Sequence, residues 1–491
     1  MPKIAACFFA LVLFASLNAS AQTKADDGWI PLFDGRSLKG WKAGENAASF
    51  RVENGQILCD GPTSHLFYAG PVSNADFRNF ELKAEVMTRP GANSGIFFHT
   101  QFQQRGWPAK GFEVQVCNTC EGEGEYRERK KTASLYGVRN IYKALAKDNE
   151  WFQLHFSVRG KQVQIRLNGL LVVDYVEPDQ PVQANERARV IDHGAFALQC
   201  HDSGSKAFFK NIVVKPLPDD LATPASERPV VDDLYRELLR LSADNYPLVD
   251  YHVHVRGGFT LEDALRESRR LGIGYGVAMN CGLNFPITND AGAEEFLKTM
   301  KGQPVWVAMQ AEGREWVKMF SKETVAKFDY VFTDAMTFTD DKGKRMRLWI
   351  KEEVGEIPDK QAFMEMYLNR ILSVLNNEPI DIYVNPTFLP APIAADYDRL
   401  WTPDRMQKVI AAARKNDVAI EINNRYRLPS PAFIKAAKKA GVKFSCGTNN
   451  SDARIGRNEY CVEMIKECGL AWQDFFVPRP DGQKPMQRRG F

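Results

Sequence analysis

Two domains in series, an antiparallel β-sandwich followed by a closed (β/α)7-type barrel, are what this sequence predicts. Three observations carry the prediction. Up to about residue 216, apolar and polar residues alternate in short runs separated by turns. After about residue 233, short apolar runs alternate with amphipathic helical segments, the rhythm of a parallel sheet. Between the two, the stretch 216–233 holds four prolines and no periodicity, which reads as a linker. A chain of 491 residues is also too long for one compact core.

Taken in order, Lys3 precedes an apolar stretch over 4–17, then Ala19-Ser20-Ala21 and Gln22. This is the layout of a secretory signal over 1–21, cleaved after Ala21, and it predicts export to the periplasm or beyond. In the region 27–216, Phe80, Leu82, Ala84 and Val86 alternate with Glu81, Lys83 and Glu85. Phe152, Leu154, Phe156 and Val158 repeat the pattern, and Asn168-Gly169 supplies a hairpin turn. The linker, 217–233, implies that the two domains fold separately and that a chain ending near Leu217 is soluble. In the region 234–491, seven apolar strands are expected at 248–255, 275–281, 304–312, 329–336, 381–388, 418–423 and 443–449. Helical segments such as 261–271, 360–375 and 405–415 separate them.

The composition excludes several classes. The 64 basic and 61 acidic residues are mixed along the chain, so a formal charge of +3 leaves no electrostatic footprint for nucleic acid. Outside the N-terminus, no apolar run approaches the ~20 residues of a membrane-spanning helix, so no membrane insertion is expected. Export would permit disulfides among the eight cysteines beyond the signal. Cys461 and Cys468 lie too far apart along one helix to pair, whereas Cys117 and Cys120 could pair or could remain two thiols.

On the sandwich, Glu113 and Gln115 point opposite to Phe112, Val114 and Val116. Ala195 and Ala197 share a face with Gln199 and His201, and Phe97, His99 and Gln101 form a third row. A merely solvated face favours Lys, Glu and Thr. Amides, imidazoles and one carboxylate beside small residues suit a carbohydrate instead. The region 27–216 resembles the 3-keto-disaccharide hydrolase family, through Gly28-Trp-Ile-Pro-Leu-Phe-Asp-Gly35, Leu38-Lys-Gly-Trp41, Asn93-Ser-Gly-Ile-Phe-Phe-His99, Gly111-Phe-Glu-Val-Gln-Val116, Leu198-Gln-Cys-His201 and Phe208-Phe-Lys-Asn-Ile212. The resemblance implies a jelly-roll, concanavalin-like sandwich that holds sugar on its concave face. It also implies cleavage of 3-keto-glycosides by proton abstraction at carbon 2, elimination and hydration. Such a reaction needs a base, an oxyanion stabiliser and an acid. Glu113 or His201 is expected as base, His99 and Gln115 as donors, and Asn93, Gln199 and Tyr136 as substrate contacts.

At the expected C-terminal ends of the barrel strands stand His252, His254, Asn280, Cys281, Glu312, Asp334, Asn385, Glu421, Asn423, Asn449, Asn450 and Asp452. His-x-His on a strand points both rings to one side, as two ligands of one metal require. Asp250-Tyr-His252-Val-His254, Glu312 and Ser451-Asp452-Ala453 resemble the polymerase-and-histidinol-phosphatase (PHP) metallohydrolases over about 245–455. That family holds three metals with many histidines, and only two histidines follow residue 202 here. Asn280-Cys281, Asp334, Asn385 and Arg454 stand where the family has ligands. What survives, His252, His254, Glu312 and Asp452, implies one divalent ion of zinc, manganese or iron. Otherwise the barrel has decayed and its histidines only bond to carboxylates. Arg454 either binds an anionic substrate oxygen or pairs with Asp334 or Glu421. Three functions remain open at this point: 3-keto-glycoside cleavage, a mononuclear PHP-type metallohydrolase whose sandwich delivers sugar, and a non-catalytic glycan-binding protein.

Overall fold

The structure, a computed structural model, describes residues 27–122, 126–181, 189–340 and 343–488. The expected signal, 1–21, lies outside the described residues. No helix among them is long and apolar enough to cross a membrane.

The first region is a jelly-roll-like sandwich of two antiparallel sheets. The larger runs in the order Leu170–Val176, Gln162–Leu167, Phe152–Arg159, Phe80–Thr88, Lys206–Pro216, Gln56–Asp60 and Phe50–Glu53, with Ile30–Pro31 also paired to Lys206–Pro216. Its inner face is the alternation read from the sequence: Phe80, Leu82, Ala84, Val86, Phe152, Leu154, Phe156 and Val158 are all buried. Asn168 and Gly169 turn the hairpin with φ of 49° and 84°, the pair of positive values that matches the twist of the flanking strands. The smaller sheet runs Trp41–Ala43, Ser64–Tyr68, Ala195–Cys200, Ser94–Thr100 and Phe112–Val116. Its last four strands are buried on both faces, not on one. The inner face is apolar, and loop residues cover the outer one. The Trp107 ring lies 5.5 Å from His65 and 5.0 Å from His201, and Phe102 lies 5.4 Å from Phe67.

The second region closes a seven-stranded parallel barrel: Val249–Val253, Gly274–Gly282, Trp306–Glu312, Tyr330–Thr333, Ile382–Tyr383, Ala419–Asn423 and Phe444–Gly447. Each expected strand overlaps one of these. The helix Leu261–Leu271 starts on a capping box, with Thr260 Oγ1 accepting from the Asp263 amide at 3.1 Å, and stops at Gly272, whose φ is 72°. The helices Lys360–Asn377 and Pro403–Lys415 start on Asp359 and Thr402 caps, the second with proline at its first position.

The segment expected to link the two regions is packed, not free. The Leu217 amide donates to the Asn79 carbonyl at 2.9 Å, and Asn79 Nδ2 donates to the Pro218 carbonyl at 2.8 Å. The helix Asp233–Ala243 then serves both domains: Tyr235 and Leu239 belong to the sandwich core, and Leu238 and Leu241 to the barrel core. Other contacts gather on residues 139–143. Asn140 Nδ2 donates to the Ser242 carbonyl (2.9 Å), Tyr142 Oη to the Tyr246 carbonyl (2.9 Å), and Lys143 Nζ to the Val305 carbonyl (2.9 Å) and Asp329 (2.7 Å). Tyr246, Val305 and Asp329 precede barrel strands, so the sandwich sits at the N-terminal end of the barrel.

Cys117 is disulfide-bonded to Cys120, and Cys446 to Cys461, a pairing the sequence did not suggest. The second bond ties the last barrel strand to the helix Glu459–Glu467 and closes the loop that carries Asn449, Asn450 and Asp452. Closing a loop of this length is worth about 3 kcal/mol. Replacing both cysteines with alanine is expected to lower unfolding free energy by about that much. Equal urea midpoints for the variant and the parent chain would refute the contribution.

Candidate functional site

Four strands of the smaller sheet bring polar side chains to its covered outer face. In register, Gln199 pairs with His65, Ala197 with Phe67 and Phe97, and Phe97 with Glu113. Glu113, Gln115, Gln199 and His65 are 6%, 1%, 1% and 3% exposed. Gln199 Nε2 donates to Glu113 Oε1 at 2.9 Å. The Gln115 amide, turned to satisfy both of its atoms, donates to Glu113 Oε1 and the Ser94 carbonyl at 3.2 Å, with its oxygen 3.0 Å from the Asn93 side chain. Small residues make the room: a Cβ on Gly95 would stand 2.4 Å from Glu113 Oε1. Gly95→Ala is therefore expected to push the carboxylate aside and to destabilise the chain by about 1–3 kcal/mol, the cost of overpacking a filled site. Equal urea midpoints for the variant and the parent chain would show that the carboxylate gives way freely.

Of the residues read from the sequence, Glu113, Gln115, Gln199 and Asn93 come together. His201 joins them at the edge of the face, with Nδ1 2.6 Å from Asp202 Oδ2 and its ring against Trp107. Tyr136 is adjacent through its backbone, its amide donating to the Glu113 carbonyl at 2.9 Å, but its phenol donates to Glu128 at 3.1 Å. Burial pushes that phenol well above the usual tyrosine range. His99 needs correction. Its φ of 53° breaks the strand alternation and turns the ring into the core beside Phe80 and Phe98. There Nε2 donates to the Arg78 carbonyl (2.9 Å) and Nδ1 accepts from the Asp192 amide (3.3 Å). Burial lowers its pKa to about 4, so it is a neutral structural residue and not a donor on the face.

Two buried polar residues of this region were missed. His65 sits opposite Gln199 beneath Trp107. Its signal was the alternation of His65 and Phe67 within a strand of only five residues. Lys130 is buried, with Nζ 3.2 Å from Asn245 Oδ1 and 4.6 Å from the centre of the Tyr136 ring. Burial lowers its pKa, while the charges of Glu128 and Glu113 oppose that shift.

The barrel mouth forms a second polar cluster. His252 Nδ1 lies 2.6 Å from Glu421 Oε1, and His254 Nδ1 lies 3.2 Å from the Ala278 carbonyl. Glu312 accepts from Asn280 (2.8 Å), Gln310 (2.9 Å) and Thr337 (3.1 Å). Burial, reinforced by neighbouring Asp334, raises its pKa to about 8. Asn385 donates to Asp334 Oδ2 (2.8 Å) and accepts from Asn423 and Asn449 (3.0 Å each), so this amide network occupies the fourth and fifth strand ends. Gly447 leaves space for it: a Cβ there would stand 2.1 Å from Glu421 Oε1.

The expected metal set is not assembled. Asp452 turns outward to Arg454, with Oδ2 2.5 Å from Nη2, and the guanidinium holds this carboxyl well below the usual range. Arg454 is 90% exposed and pairs with Asp452, not with Asp334 or Glu421. No group of three or more His, Cys, Asp or Glu side chains among the described residues forms a metal-holding cluster. The buried Nε2 atoms of His252 and His254, which lack hydrogen-bond partners among the described residues, would suit a metal. Asp452, the fourth ligand expected for one, points to Arg454 instead.

A 3-keto-disaccharide hydrolase of Bacteroides thetaiotaomicron is 31% identical over 87 residues, a stretch that covers 15% of this chain and 28% of that protein's length. Among solved structures, a provisionally named glycosyl hydrolase of Parabacteroides distasonis aligns over 39% of this chain and 94% of its own, with 22% identity and a TM-score of 0.34. The carbohydrate-binding module CBM66 of Bacillus subtilis aligns over 36% and 95%, with 14% identity and a TM-score of 0.25. Residues 28–215, which span the sandwich, match the family described as the 3-keto-alpha-glucoside-1,2-lyase-like domain.

Proposed function

We propose that the chain is an exported carbohydrate-active enzyme that cleaves 3-keto-glycosides on the covered face of its sandwich. The observation that carries this reading is the buried Glu113 carboxylate, held by amides on a sheet face roofed by Trp107. A ketone at carbon 3 acidifies the hydrogen on carbon 2. Glu113 takes that proton, the C2–H electron pair becomes the C1=C2 double bond, and the bond from carbon 1 to the glycosidic oxygen breaks. The departing oxygen takes a proton from an acid, for which His201, oriented by Asp202, is the candidate. Water then adds at carbon 1 and gives its surplus proton to His201, while Glu113 returns its proton to carbon 2. The Gln199 amide, with one N–H beyond the one given to Glu113, supplies a donor for charge that develops on the carbon 3 oxygen.

A two-carboxylate glycosidase would need a second acid across the bond. Asp60 is on the other sheet, bound to Arg51 and Lys206, and Asp202 is committed to His201 and Ser205. Export is supported by the signal-like N-terminus and by two disulfides. Descent of the barrel from PHP metallohydrolases rests on Asp250-Tyr-His252-Val-His254, Glu312 and Ser451-Asp452-Ala453, and no step of the reaction is assigned to it.

The test is a matched pair of aryl glucosides, one oxidised at carbon 3. Cleavage of the oxidised sugar only, with a primary isotope effect for deuterium at carbon 2, is the expected result. Equal cleavage of both sugars would rule the mechanism out.

A further inference from the structure

The barrel mouth is a pocket of about 440 Å³, within the range of small-molecule sites. It lies at the end of the barrel remote from the sandwich. Two of its lining side chains are buried with an acceptor that meets nothing: His254 Nε2 and Gln310 Oε1, on residues 3% and 6% exposed, have no hydrogen-bond partner among the described residues. Because His254 Nδ1 faces a carbonyl, that nitrogen carries the proton and Nε2 presents its lone pair. An unmet buried acceptor costs about 1–3 kcal/mol, so these atoms call for a ligand that donates.

The walls differ in character. Asn280, Gln310, Glu312 and Asp334 come from the ends of the second, third and fourth strands, an acceptor-rich wall. Arg256 and Arg425 follow the first and sixth strands, on the opposite side. Both are anchored to the loop after the last strand, Arg256 Nη2 donating to the Asn450 carbonyl (2.7 Å) and Arg425 Nη1 to the Asn449 carbonyl (3.3 Å). Neither guanidinium forms an ion pair with a carboxylate among the described residues, and the two repel each other. Trp349 and Tyr426 add apolar faces at the rim. Hydroxyl groups satisfy the first wall, since each both donates and accepts. A planar anion satisfies the second, because guanidinium groups bind carboxylates in a forked geometry.

We propose that the barrel mouth binds a small polyhydroxylated carboxylic acid, of the sugar-acid class, with its hydroxyls toward Gln310 and Glu312 and its carboxylate toward Arg256 and Arg425. The site is separate from the sandwich face and does not depend on the chemistry proposed there.

The experiment is isothermal titration of the full chain with D-gluconate, D-glucuronate, D-glucose and D-glucose 6-phosphate, after treatment with a metal chelator and again with added zinc or manganese. Saturable binding of at least one of the two sugar acids, without added metal and at least about tenfold tighter than glucose and than the phosphate, is expected. Arg425→Gln should weaken it about tenfold or more. Gln310→Leu should weaken it too, with thermal melting showing that both variants remain folded. Should either variant not fold, Arg256→Gln and Asn280→Ala repeat the test from the same two walls. The proposal is overturned if neither acid binds up to about 10 mM, if glucose or the phosphate binds as tightly, or if binding requires the metal. It is equally overturned if binding survives unchanged in folded variants of both walls, since the signal would then come from the sandwich.

Discussion

Glu113→Gln is expected to lower turnover of a 3-keto-glucoside by about a thousandfold while leaving sugar affinity within a few-fold. The reason lies in what the substitution keeps. Glutamine has the same shape, and its oxygen can still accept from Gln199 Nε2, so the covered face stays filled and hydrogen-bonded. What it loses is basicity, and removing a positioned general base typically costs 10²–10⁴ in rate. Affinity measured by titration with the unoxidised glycoside, alongside turnover of the oxidised one, separates the two effects. A folded Glu113→Gln chain with near-normal turnover would move the base elsewhere, His201 being the next candidate. Equal losses of affinity and turnover would make Glu113 a binding residue only.

The second large effect concerns where the chain can be cut. A chain ending after Leu217 is expected to be several kcal/mol less stable than one ending after Asn245, against the separate folding that the proline-rich stretch suggests. The longer chain keeps Tyr235 and Leu239 in the sandwich core. Burying side chains of this size contributes about 1.5–3 kcal/mol each, a large share of the 5–15 kcal/mol that holds a typical domain. Chemical denaturation of the two shortened chains measures the difference directly. Identical midpoints would mean that the helix Asp233–Ala243 belongs to the barrel alone.

Much of the architecture was legible because burial imposes a period on the sequence. The seven barrel strands show as short apolar runs because a parallel strand is covered on both faces. In the larger sheet, Phe80 to Val86 alternate because only one face is covered. The site was legible in part for the same reason: Glu113, Gln115 and Gln199 follow strict alternation and land together. His99 does not, because alternation says nothing about a left-handed residue near a strand end. His65 was hidden in a short strand whose partner, Ala195–Cys200, is some 130 residues away in sequence. Asp452 and Arg454 failed for a different reason. A motif in a loop fixes which residues are near in sequence, not which way the loop turns, and two opposite charges two residues apart satisfied each other first. The Cys446–Cys461 bond joins a strand to the helix after it, and no spacing rule announces such a pair.

The attachment of the sandwich to the N-terminal ends of the barrel strands also leaves the barrel mouth clear: the polar strand ends line a pocket on the side away from the sandwich, so a ligand can enter it without passing the sandwich.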